Sequence, residues 1–107
     1  MQAALDNPNL GNAGLSSAVT LAVSAEFLGH IGAYENALEM SILATERIRN
    51  NHVFIINLIN LALHYGDINM ARIWIKKLDN RNYLGIHDKT IAKMNADILV
   101  ISQGELE

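Results

Sequence analysis

Gly32-Ala33-Tyr34-Glu35-Asn36-Ala37 and Gly66-Asp67-Ile68-Asn69-Met70-Ala71 share a Gly and an Ala at the same offset, so that one interval carries Gly32 to Gly66 and Ala37 to Ala71. On both sides of each Gly, apolar residues recur at three- and four-residue spacing, the period of a helix with one buried face. A turn glycine between two helices, repeated at a fixed interval of about 34 residues, is how an array of helical hairpins is written in sequence. One hairpin cannot bury its apolar stripe alone, so stacking a second beside it supplies the core. Gly at each joint permits the backbone conformations of a tight connection, and Ala at the crossing lets two helix backbones approach.

Working outward, the spacing predicts a first helix from Ser16 or Ser17, either a good N-cap, to about Ile31, with Val19, Ala22, Val23, Phe27, Leu28 and Ile31 as its apolar set. Its antiparallel partner runs from Tyr34 to about Arg49. Asn50-Asn51 breaks the pattern, and 52–65 is apolar almost all round, as expected of the most buried element. A fourth helix follows from about Asn69 to Leu78, then a loop over 79–85, then a fifth helix from Lys89 to about Ser102 with Asp88 as its cap. The turn formers Asn7-Pro8-Asn9, Gly11-Asn12 and Gly14 mark 1–15 as a flexible lead-in to a helical domain over 16–103. Residues 104–107 form the C-terminal end, and Leu106-Glu107 reads as a cloning scar. The expected fold is all-α, with five helices in a right-handed array of antiparallel hairpins.

These residues resemble the tetratricopeptide repeat (TPR) family, whose unit has the same length. Placing the family's turn glycine at Gly32 starts one unit at Ala18 and puts its aromatic on Tyr34 and its small residues on Ala25, Ala37 and Ala44. In the second unit, from His52, Gly66 and Ala71 match, whereas Ile68 replaces the aromatic, Ile59 the earlier small residue, and the usual inter-repeat proline is missing at Arg49 and Tyr83. A third turn glycine would fall on Val100, whereas Gly104 lies about four residues later, so either the linker is longer by that much or the fifth helix is only a cap. The resemblance implies a TPR-like solenoid whose concave groove is lined by first-helix side chains. These are Val19, Ala22, Val23, Glu26 and His30, then Val53, Ile56, Asn57, Asn60 and His64, with Ile91, Asn95 and Ile98 from the fifth helix. Members that clamp a terminal carboxylate use Lys, Arg and Asn there; this chain has Ala22, Glu26, Ile91 and Asn95 where most of those groups would be needed, and only Asn57 fits.

Composition narrows the chemistry. Half of the 107 residues are hydrophobic and 18% are charged, which excludes a disordered charged tail and leaves apolar surface for a partner. The net charge of −3 and the absence of any basic run argue against nucleic acid. No cysteine is present, so disulfides and thiol nucleophiles are excluded and the compartment stays open, cytoplasm being preferred to periplasm. The apolar stretches are too short and too polar to insert across a membrane.

No catalytic or phosphate-binding motif occurs, and no cofactor or metal is expected. His30 and His64 occupy equivalent positions two residues before each turn glycine, either lining the groove or simply ending their helices. Asn57 and Asn60 suit the backbone of a bound segment, or equally nearby loop carbonyls. Trp74 either packs beneath the 79–85 loop or anchors an interface. The expectation is a non-catalytic protein-binding module, acting as adaptor, chaperone or assembly factor. It would take a partner helix or extended peptide at Val23, Glu26, His30, Ile56, Asn57, Asn60, His64 and Asn95. A second copy of the chain is an admissible partner, and the alternative is a regulatory or oligomerisation segment of a larger protein.

Overall fold

A computed structural model describes residues 10–48 and 51–106. Among these the chain is all-α, with no strand. The helices are α1 (Leu10–His30), α2 (Tyr34–Arg47), α3 (His52–His64), α4 (Ile68–Asp79) and α5 (Asp88–Leu106), with one turn of 3-10 helix at Tyr83–Gly85. Two compact units divide the chain, residues 1–54 and 55–107.

The two joints close the preceding helix with the same pair of backbone bonds. After α1, Gly32 takes φ +87°; its N–H donates to the Gly29 carbonyl, and the Ala33 N–H reaches back to Leu28 at 2.9 Å. After α3, Gly66 takes φ +73°, its N–H donates to Leu63 at 3.1 Å, and the Asp67 N–H donates to Ala62 at 2.8 Å. Each pair satisfies the last carbonyls of a helix through a left-handed glycine, the Schellman arrangement. The next helix starts at once, with Ala37 donating to Ala33 and Ala71 to Asp67. The recurrence in the sequence is therefore a recurrence of one helix–turn–helix geometry.

Only the second joint has a side-chain cap: Asp67 accepts from the Met70 N–H at 3.2 Å, whereas Ala33 has no side chain to offer. At the start of α3, Asn51 Oδ1 accepts from the Val53 N–H at 3.0 Å.

Burial repeats with the same interval. Ala37, Ser41 and Ala44 are buried on α2, and their counterparts one unit later, Ala71, Ile75 and Leu78, are buried along α4. In the first unit α1 packs against α2 through small residues, Ala18, Ala25 and Gly29 on one side and Ala37, Ser41, Ala44 and Thr45 on the other. Ala18, Ala44 and Phe54 form a cluster with half-buried Leu21, Ala22 and Ile48 around it. The buried Thr45 hydroxyl donates to the Ile42 carbonyl at 2.6 Å, so its burial leaves no orphan. In the second unit the buried set is larger: Ile55, Leu58 and Ile59 on α3, Trp74, Ile75 and Leu78 on α4, and Met94 and Ile98 on α5, which packs against α4.

Several expectations need correction. Helix α1 starts at Leu10, so Ser16 and Ser17 lie inside it rather than capping it, and 10–15 are helical rather than a lead-in; residues 1–9 lie outside the described residues. A glycine in a helix costs about 1 kcal/mol, which Gly11 and Gly14 add without stopping a helix already formed beyond them. At the other end α5 runs through 104–106 rather than stopping near Ser102. Asp88 is the first residue of α5, not its cap: the opening bond runs from the Ile91 N–H to the His87 carbonyl. Of the apolar set of the first helix, Val19 and Val23, expected in the groove, are exposed, and so are Phe27 and Ile31, which were not placed there. Helix α3 is heavily buried, as expected, but along one face only.

A Cβ built on Gly32 or Gly66 meets no atom within 4 Å, so replacing either by Ala tests the left-handed backbone alone. Each substitution is expected to lower stability by about 1 kcal/mol in denaturant melts. Ala37 and Ala71 are fully buried, and Leu at either should cost about 1–3 kcal/mol by overpacking. Conversely, Ala33→Asp, copying the cap of the second joint, should stabilise by about 1 kcal/mol.

Candidate functional site

The helical period determines what each first helix turns outward. On α1, Val19, Val23, Glu26 and His30 are exposed, spaced by four, three and four residues, and so share one face. On α3, Val53, Asn57, Asn60 and His64 are exposed at the same spacing, each one repeat interval after its counterpart. Every groove position expected on the first helices is thus outward-facing except Ala22 and Ile56, which are half-buried beside these rows. The two faces are equivalent in place and different in chemistry: Val23 answers to Asn57, and Glu26 to Asn60.

The α1 face is wider and more apolar than expected. Phe27, 63% exposed, and Ile31, 61% exposed, extend the Val19–Val23 row by further steps of four. Its one carboxylate, Glu26, lies 3.8 Å from His30 Nε2, one turn away, and both side chains are largely in solvent. Such an exposed pair contributes little to stability. His64, the equivalent of His30, instead meets the Tyr65 ring edge-on at 5.2 Å. Both histidines are the last residues of their helices, and among the described residues no three His, Asp or Glu converge on a point that could hold a metal ion.

On α5, Asn95 is exposed as expected and Ile91 is half-buried, whereas Ile98 is only 3% exposed and belongs to the interior with Met94. The family resemblance implied Ile98 in the groove; its position four residues after Met94 places it on the inner face. Trp74 is buried, and the Lys77 ammonium lies over its ring, 4.7 Å from the centroid. An open hollow of about 310 Å³ is lined by Gly66, Asp67, Ile68, Asn69, Arg72 and Ser102. Its one carboxylate already caps α4, and no histidine stands beside Ser102 to act as a base.

The connection between α4 and α5 departs most from an ordinary solvated loop. Asn82 braces it, accepting from the His87 N–H at 2.6 Å and donating to Asp88 Oδ1 at 2.7 Å. Inside this brace the chain makes its 3-10 turn and puts Leu84 at φ +57°, a left-handed conformation that a branched side chain rarely adopts. Tyr83, Leu84 and Ile86 are all exposed, Leu84 fully, at 102%. Turn formers mark this stretch in the sequence as a plain loop; the signal that sets it apart is the three large apolar residues among them.

No family model matches this chain, nor does any curated protein or solved structure. No helix among the described residues is long and apolar enough to cross a membrane.

The brace and the strain can be measured separately. Leu84→Gly should stabilise the protein by roughly 0.5–1 kcal/mol, since glycine adopts positive φ freely although it loses more chain entropy on folding. Asn82→Ala should destabilise it by about 1 kcal/mol through loss of both hydrogen bonds. Chemical denaturation of the two variants checks both signs.

Proposed function

We propose that the chain is a non-catalytic protein–protein interaction module, a TPR-like array of helical hairpins, which takes a partner helix or extended segment on the outward faces of its first helices. The observation that carries this reading is the repetition, at one and the same interval, of both the joint geometry and the exposed rows, Val19-Val23-Glu26-His30 and Val53-Asn57-Asn60-His64. A buried core explains why burial repeats. It does not require outward rows to carry valine and amide side chains rather than the Lys and Glu that usually cover a solvated helix. An aliphatic row continued by Phe27 and Ile31 suits the apolar face of an incoming helix, and the exposed amides of Asn57 and Asn60 can bond a partner's backbone. The roles this fits are adaptor, chaperone or assembly factor.

Affinity capture with the full chain, followed by titration of the purified partner, tests the reading. Binding should depend only weakly on salt, because Glu26 is the only residue with a fixed charge in either row. Asn60→Arg or Val23→Arg should weaken it tenfold or more by putting an unpaired charge into the contact, whereas Glu39→Arg on α2 should leave it unchanged. Undiminished affinity in both row variants, at native stability, would refute the assignment of the surface.

A further inference from the structure

We propose that the braced turn between α4 and α5 docks on an anionic phospholipid surface, with Leu84 as its inserting side chain. Three observations within the second unit meet here. The turn presents Tyr83, Leu84 and Ile86 to solvent at 71%, 102% and 64% exposure. It is held in that form against its own preference, since Leu84 sits at φ +57° and Asn82 fixes the segment from both sides. Basic residues flank it in the sequence, because five of the chain's eight Lys and Arg fall between residues 76 and 93, against only two Asp, in a chain whose net charge is −3.

These basic residues lie on both sides of the turn. Lys76 and Lys77 occupy the last turn of α4, Arg81 begins the connection, and Lys89 is in the first turn of α5. Lys93 is one turn further, about 7 Å along the axis from the start of α5. Basic side chains beside an apolar tip complement anionic headgroups, while the tip enters the boundary between headgroups and acyl chains, and a tyrosine ring is at home at that level. An acidic groove on a protein would satisfy the charges too. The convex tip favours the fluid surface, which receives a fully exposed leucine without needing a socket shaped for it. Docking of this kind involves no spanning segment, and it uses a surface separate from the outward rows of α1 and α3.

Vesicle sedimentation with the full chain tests the proposal, using phosphatidylcholine alone and phosphatidylcholine with about a third phosphatidylserine. The chain should sediment with the mixed vesicles at low salt, release at high salt, and stay in solution with phosphatidylcholine alone. Leu84→Gly should cut binding roughly tenfold while the helical circular dichroism is retained, and Lys89→Gln should cut it roughly fivefold. Because the chain has no cysteine, Leu84→Cys carries a single polarity-sensitive label. Its emission should shift to the blue on mixed vesicles, whereas a label at Glu39→Cys on α2 should not respond. Failure to sediment at low salt overturns the proposal. So does binding that Leu84→Gly leaves intact and that gives no emission shift, since that is adsorption by charge alone, and so does equal binding to both vesicles. Capture of an acidic protein through this turn by a chain that ignores vesicles would assign the surface to that other class of partner.

Discussion

A left-handed glycine closing the end of a helix is the constraint on which both hairpins depend. At Gly32 and at Gly66 the reversal of φ turns two backbone N–H groups back onto the last turn of the preceding helix and sends the chain directly into the next one. Any other residue would adopt that backbone only under strain, although there is open space around both positions. Each joint opens the following helix two residues after its glycine, at Tyr34 and at Ile68, and puts a buried alanine, Ala37 or Ala71, five residues after it.

The two units fill that shared frame differently. In the first, the α1–α2 contact is made of Ala, Gly, Ser and Thr, which allows close backbone approach but removes little apolar area from water. Four large apolar side chains of α1 and the joint after it, Val19, Val23, Phe27 and Ile31, are turned outward instead. In the second, Ile55, Leu58, Ile59, Ile75 and Leu78 are all inside, and α5 adds Met94 and Ile98. The first unit therefore gains less from its own burial, while both units leave large apolar side chains in solvent that a partner could cover.

How much of this could be read from the sequence depends on which physical signal carried each feature. The joints were legible because Gly and Ala at fixed offsets have few structural alternatives, and the helices because their apolar period is strong. The outward row of α3 was legible in Asn57, Asn60 and His64, which interrupt an otherwise apolar run. On α1 the positions of Val19, Val23, Glu26 and His30 followed from the repeat, but its extension by Phe27 and Ile31 did not, because α1 is apolar on two faces. Only the packing shows that the small residues Ala18, Ala25 and Gly29 take the inner one. The start of α1 was hidden because glycine and asparagine signal a turn locally, while propagation of a helix toward its N-terminus is governed by the turns already formed beyond them. The cap expected at Asp88 is not one, since its carboxylate is drawn instead to Asn82, whereas Asp67, not singled out as a cap, binds an N–H three residues on.

The turn between α4 and α5 shows why exposure cannot be inferred from residue type. Tyr83, Leu84 and Ile86 would be buried in most contexts, and a flexible loop would fold them back onto the nearest apolar surface to recover that area. Two hydrogen bonds from one side chain, Asn82, oppose this by fixing both ends of the turn, and the left-handed backbone at Leu84 is the strain that remains. Strain kept in place by specific bonds, around a side chain that gains nothing from its position within the folded chain, is maintained for something outside it. The concentration of lysine and arginine about the same turn gives that external surface a sign, and so separates it from the nearly uncharged rows of the first helices.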